Sequence, residues 1–298
     1  MSLVTTGHSF VGKHAGVYIG AALKAAKSLD NLTLLEGIKY KAVVNGASTT
    51  GMIADASCGF TDAGSLTLTE RVLTPKRLQI NTDFCRETLL AHWQSNDLAA
   101  GADNVMSEEF AAFVMEYVGS AMADAIEASI WDGNDANGGQ FTGFTTDTVG
   151  TMVADAAVTD VASVTLNVGN VIAQMERVVD ALPAAVYGKS DLNLYVGSAT
   201  YRLYVQALSA LGYATGAIFG DNPINFQGIN LVMCPGLPAD TMVAAQKSNL
   251  FFGTDLLDDV SLKIMDMGAI DGSDNIRLVA RFSGAVQHGN GADVVLYK

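Results

Sequence analysis

The side chains with the most chemistry to offer are few and scattered. The four histidines, His8, His14, His92 and His288, are far apart and form no HExxH or other paired-ligand spacing. Each reads as a structural or solvated imidazole. Ser198 in "YVGSATY" stands where a strand gives way to a helix, but the stretch lacks the GxSxG elbow of a serine nucleophile, and a helix cap accounts for it. "HGNGAD" lacks the third glycine of a dinucleotide fingerprint, and no P-loop is present. In "DGNDANGG", Asp132 and Asn134 fit calcium-loop positions one and three. Ala136 and Gly143 then occupy positions where a ligand is required, so a turn is expected. Asp255, Asp258 and Asp259 read as a solvated acidic loop rather than a cation site. Cys58, Cys85 and Cys234 have no CxxC spacing, which fits neither a disulfide framework nor a zinc site, and suits a reducing compartment. No catalytic residue, metal or cofactor is therefore expected.

The elements around these residues belong to a chain of 298 residues, 49% hydrophobic and only 16% charged. That suffices for one or two large cores, and a sparsely charged surface suits contacts with other chains. The net charge of −14 is uneven. Nine of the 17 basic residues and eight of the 31 acids lie in the first 100 positions, so the remainder is strongly acidic. An acidic body repels phosphate and argues against nucleic-acid binding by affinity. It also allows the first third of one copy to lie on the body of another. The N-terminus has no apolar leader core and no run is long enough to span a membrane, so the reading is a cytoplasmic product.

Residues 1–30 read as an arm with a short helix carrying Ile19, Leu23 and Ala26 on one face. "IKYKAVV" (38–44) and "SLTLTERVLTPKRLQIN" (65–81) read as strands, the second interrupted at Pro75. Residues 107–131 form the clearest helix: Ser107 caps it, Glu108 and Glu109 follow in the first turn, and Gly133 stops it. Its apolar stripe is Phe110, Phe113, Val114, Tyr117, Val118 and Ala121, and its length requires a long surface to lie on. A second helix over 165–182 has Val168, Val171, Ile172, Met175, Val179 and Leu182 in step, ending at Pro183. The strand "LNLYVGS", a helix capped by Ser198 and stopped by Gly212, and strands in "INLVMCPGL" and "TMVAAQKSNLFFGTDLL" make an α/β unit from about 185 to 257. The tail alternates again: Val260, Leu262 and Ile264, then Ile276, Leu278, Ala280 and Phe282, then "GADVVLY".

Between the first two strands lies "NGASTTGMIADASCGFTDAG", Asn45 to Gly64, with two Asp and no Lys, Arg, His or Pro. Asn45-Gly46 is a tight-hairpin signal that would turn the chain directly after Val44. The alternative is one long β-hairpin with a wide tip.

This order of parts resembles the major capsid protein of tailed double-stranded-DNA bacteriophages, the Hong Kong 97-type fold. "NLFFGTDLLDD" (249–259), "LYVGSATYRLYVQAL" and the terminal "IRLVARFSGAVQHGNGADVVLY" look like that family. The resemblance implies an α+β fold with four parts: an N-terminal arm (1–35), an extended hairpin loop (36–82), a peripheral domain with its spine helix (83–184 and 258–298), and an α/β axial domain (185–257). It implies a non-enzymatic shell subunit that forms hexamers and pentamers and closes round DNA without reading its sequence. The site would be the virion capsid, assembled in the host cytoplasm, with separate scaffolding, portal and cement proteins as candidate partners. Assembly contacts would fall on the loop tip at Asn45, Gly46, Gly51, Cys58, Gly59, Phe60 and Gly64, and on the flanking Lys39, Lys41, Arg71, Lys76 and Arg77. Some relatives cross-link subunits through a lysine in this loop. Here the tip has none, so no cross-link is expected; nor is a long cleaved scaffolding segment expected before the arm, so that scaffolding would be separate or unnecessary. The rival readings are a cellular nanocompartment shell of the same fold and a soluble enzyme with a lid at 45–64.

Overall fold

The computed structural model describes residues 27–53, 55–56, 58–59, 64–85, 108–212, 225–255, 263–267, 272–273 and 275–298. Within these, the strands in chain order are β1 (Thr33–Leu35), β2 (Ala42–Thr50), β3 (Ser65–Leu73), β4 (Lys76–Cys85), β5 (Thr159–Val161), β6 (Leu192–Val196), β7 (Asn225–Phe226), β8 (Ile229–Met233), β9 (Met242–Gln246), β10 (Leu250–Gly253), β11 (Lys263–Asp266), β12 (Asn275–His288) and β13 (Val295–Tyr297). The helices are α1 (Glu108–Asp132), α2 (Val171–Asp180) and α3 (Ser198–Ala210).

Strands that read as unbroken apolar runs are those buried on both faces, and they form the centre of the molecule. A six-stranded mixed sheet runs β5-β13-β9-β6-β8-β7. One face carries Leu192, Leu194, Val196, Met242, Ala244, Val295 and Tyr297, covered by α2 and α3 through Val171, Met175, Val178 and Tyr204. The opposite face carries Tyr195, Val243, Ala245 and Leu296, packed on Ile130 and Trp131 of α1 and on Leu250, Phe252 and Val286. Alternation along each strand thus feeds two cores. The sheet draws its strands from 159 to 297, so β5 and the C-terminal β13 join the 185–257 unit side by side.

The second sheet runs β1-β10-β12-β11, with β4 on the other side of β12. The 14-residue β12 is its axis: residues 275–284 pair antiparallel with β4, and 285–288 pair with β10. The long segment expected as one strand, "TMVAAQKSNLFFGTDLL", is two, β9 and β10, joined by a 3-10 turn at Lys247–Asn249 that carries the chain from one sheet to the other.

Several expectations are corrected. β2 runs straight through Asn45-Gly46 to Thr50, so the tight turn after Val44 does not form; the cross-strand register with β3 continues to Thr50↔Ser65. The spine helix forms over 108–132, but among the described side chains its burial is concentrated at the C-terminal end: Tyr117 is 44% exposed while Ile130 and Trp131 are fully buried. The helix expected over 165–182 is confined to 171–180, because Asn167 Oδ1 accepts from the Gly169 and Asn170 amides and holds the preceding segment in a turn. Val168 is exposed, and Val178 joins the buried stripe. Ser198 is not the cap of α3. Gly197 takes that place, packed so closely against the Leu237 and Pro238 carbonyls that a Cβ would clash. The arm helix, Ser107, Phe60, Val260, Leu262, Asp258, Asp259 and the histidines at 8, 14 and 92 lie outside the described residues.

Candidate assembly site

β2 and β3 pair over nine residues each and form a sheet of their own. At about 3.3 Å per residue the ladder is roughly 30 Å long. The neck of the tip is set by two left-handed glycines, Gly51 (φ 65°) and Gly64 (φ 79°). A Cβ on Gly64 would lie 2.5 Å from the Thr50 carbonyl oxygen, so glycine is required where the strands part.

The two faces of the hairpin differ. In register, Val43 faces Val72, Asn45 faces Glu70, Ala47 faces Leu68 and Thr49 faces Leu66. These side chains share one face, and Val43, Leu66, Leu68 and Val72 are about half exposed or more, Leu68 at 71%. The apolar alternation that marked β3 as a strand is therefore not buried against its own chain. The tip adds Met52 and Ile53, the latter 96% exposed. A two-stranded ribbon with such a face gains nothing from it in isolation.

The other face turns inward at the root. Leu73 is buried with Ile38 and Ala285. Beside this apolar contact lies a polar cluster. The Arg71 guanidinium donates through Nε to the Gly289 carbonyl at 2.8 Å and through a terminal nitrogen to Asp155 Oδ2. His288 Nε2 meets the same Oδ2 at 2.8 Å, and Oδ1 accepts from the Ala157 amide at 3.1 Å. Gln287 Nε2 reaches the Val72 carbonyl at 3.3 Å. Burial pushes the Asp155 carboxyl up, but the hydrogen bonds from His288 and Ala157 and the charge of Arg71 more than offset this, and the net direction is down. His288 is fully buried; desolvation, with Arg71 adding repulsion, holds its imidazole below the ordinary 6.5 despite Asp155.

The segment that leads into β1 is anchored separately. Ser28 is fully buried and gives both its amide (3.0 Å) and its hydroxyl (2.6 Å) to the Glu127 carboxylate of α1. Trp131 Nε1 donates to Ser28 Oγ at 2.7 Å, and the Gly236 amide reaches Glu127 Oε1 at 3.3 Å. Three segments distant in sequence thus meet on one buried carboxylate. The neighbouring Cys234 thiol is driven far up, first by burial, so it stays protonated and inert. Tyr195 OH then holds the Asn31 carbonyl at 2.8 Å, and β1 adds parallel to β10.

Of the residues singled out from sequence, Asn45 and Gly46 lie within β2, Gly51 and Gly64 form the neck, and Cys58 and Gly59 are exposed in the tip. Lys39 and Lys41 are exposed at the root, with the Lys41 ammonium 5.3 Å from the Tyr40 ring centre. Lys76 pairs with Asp135 on its own chain, and Arg77 is exposed on β4. Arg71 is folded back onto the body. Ser28, Glu127 and Asp155 were not singled out from sequence; His288 was, as a structural or solvated imidazole, and it is buried against Asp155. The one readable signal was a carboxylate at 127 four residues before Trp131, on the side of the helix that carries the tryptophan. Among the described residues no cluster of three metal-ligating side chains is present, and no helix is long and apolar enough to cross a membrane.

No protein-family model and no curated protein matches the chain. Solved structures do. The capsid of the native GTA particle, computed with C5 symmetry, superposes with a TM-score of 0.67 at 14% identity, covering 97% of this chain and 95% of that one. A structure from Gordonia phage Cozz gives 0.62 at 11% identity over 100% and 98% of the two chains. The capsid structure of cyanophage P-SCSP1u gives 0.60 at 11% identity over 97% and 92%. At such identities the likeness is one of fold, and the fold is the α+β Hong Kong 97-type expected from the order of elements.

Proposed function

We propose that this chain is a major capsid protein of a tailed double-stranded-DNA phage, a structural subunit that assembles through hexamers and pentamers into a closed shell. The observation that carries this reading is the full-length likeness in fold to the GTA and cyanophage capsid structures. The exposed hairpin supports it: about 30 Å of ladder whose apolar face has no partner in its own subunit.

In this reading residues 1–35 are the arm and 36–82 the extended loop that lies on a neighbour. Residues 185–257 surround the axes of the rings, with 83–184 and 258–298 at the periphery. Heterologous contacts of one hairpin face with the next subunit close rings, and the apolar stripe supplies the driving force. A net charge of −14 keeps the wall from adhering to packaged phosphate. Scaffolding, portal and cement proteins are separate partners, and assembly takes place in the host cytoplasm.

Negative-stain electron microscopy of the purified protein over a range of salt concentrations tests this. Closed shells, or rings of five and six, are expected. Small particles that stay small under all conditions, and also when co-expressed with neighbouring phage genes, would overturn it. Shells that hold a cargo enzyme and no nucleic acid would redirect it to a nanocompartment.

A further inference from the structure

The carboxylate at the hairpin root has two claimants for one oxygen. Arg71, on β3, and His288, on β12, both address Asp155 Oδ2, while Oδ1 is occupied by the Ala157 amide. The site has no slack: a Cβ on Gly291 would lie 2.0 Å from that same Oδ2. His288 Nδ1 is buried and has no hydrogen-bond partner among the described residues. A neutral imidazole with its single proton on Nε2, facing Asp155, fits this environment, and the bare Nδ1 is then an acceptor with no donor.

We propose that Arg71, Asp155 and His288 form a proton-operated latch: with His288 neutral, Asp155 holds Arg71 and fixes the hairpin on the body, and when His288 takes a proton it claims Asp155 and frees the hairpin to swing about its root. This concerns the single subunit and stands whether or not the chain builds a shell.

The charges make the exchange necessary. Neutral His288 leaves one cation and one anion in the cluster. Protonation adds a second cation facing Arg71 and places an N–H in a buried position with nothing to accept it. Departure of Arg71 from the shared Asp155 oxygen relieves the repulsion. Among the described residues, the other groups packed here are apolar side chains, side-chain amides and one further carboxylate. β10 places Leu250 opposite His288, Asn249 and Asn290 contribute amides, and the next carboxylate, Asp293, is engaged by Asn290 Nδ2 at 2.8 Å. Apart from Arg71, the hairpin is tied here by the Gln287–Val72 contact and the small cluster of Ile38, Leu73 and Ala285. The sign follows from His288 being held below 6.5 in the closed form. The open form binds the proton more readily, so closure is full above about 6.5 and weakens as pH falls below it.

The test is a pair of spin labels, one at Thr67→Cys on the distal part of β3 and one at Glu176→Cys on exposed α2. The background carries Cys58→Ser and Cys85→Ser, and labelled chain is diluted into unlabelled chain. The distance distribution is expected to be narrow at about pH 7.5 and to broaden at about pH 5. With His288→Gln, which donates to Asp155 but does not titrate, it should stay narrow at both. With Arg71→Gln it should be broad at both, and this partly buried position lies outside the main hydrophobic cores, so the variant serves if the buried glutamine fails to fold. A broad distribution in the parent at about pH 7.5, a narrow one at about pH 5, or a narrow one in Arg71→Gln each overturns the latch.

Discussion

Ser28 Oγ donates to Glu127 Oε1 across 2.6 Å, joining two positions 99 residues apart in the chain. Both residues are fully buried, and the contact makes the segment around Ser28 part of the core. Trp131, Ser28, Glu127 and Gly236 form one network, in which the loss of any member strands the others.

Glu127→Ala should therefore be costly. It leaves the Ser28 amide and hydroxyl without an acceptor in a dry site, which on the scale of buried unsatisfied donors is about 3 kcal/mol. Urea unfolding of the unassembled subunit should show this as a lower midpoint at unchanged slope. An effect within about 0.5 kcal/mol would mean that the segment around Ser28 is not anchored there.

Gly236→Ala and Gly228→Ala form a paired test of backbone crowding. A Cβ at 236 would lie 2.1 Å from the Glu127 carbonyl oxygen, against backbone that cannot give way. At 228 the space is open, though φ is 82°. The first should destabilise by about 3 kcal/mol or more and the second by about 1 kcal/mol. Equal costs would show that the loop at 236 does not pack on α1 as described.

Leu68→Glu separates folding from assembly. Leu68 is 71% exposed on the apolar hairpin face, so unfolding of the single subunit should change by no more than about 0.5 kcal/mol. Particle yield should collapse, because a carboxylate would be desolvated wherever that face is covered. Normal shells from this variant would show that the face stays in water. Deletion of residues 49–60 should act in the same direction, leaving the body folded and shells absent.

Assembled particles should run as monomer on denaturing gels. Between Lys41 and Lys76 the chain carries no lysine, and Lys76 is engaged with Asp135 on its own subunit. A ladder of multimers resistant to boiling and reductant would contradict this.

The sequence by itself determined the order and kind of most elements, because each rests on a local period. The 25-residue α1 opens on Glu108 and Glu109 and is followed by Gly133, the run "LNLYV" is short and apolar as a buried strand is, and β3 alternates. It also determined that the tip carries small residues and no lysine. What it left open turns on which face meets what. The Asn45-Gly46 signal was overridden because nine cross-strand pairs outweigh one local turn preference. Alternation at Leu66, Leu68 and Val72 announced a strand, yet only the tertiary structure decided that this face looks away from its own subunit. Ser28, Glu127, Asp155 and His288 were illegible for a related reason. A lone polar residue carries no period, and its role arises only when packing removes water and brings a partner from 99 or 133 positions away. The sequence encodes strands through neighbours two residues apart and helices through neighbours three or four apart, whereas the anchor and the latch exist only where burial has made a distant charge the nearest one.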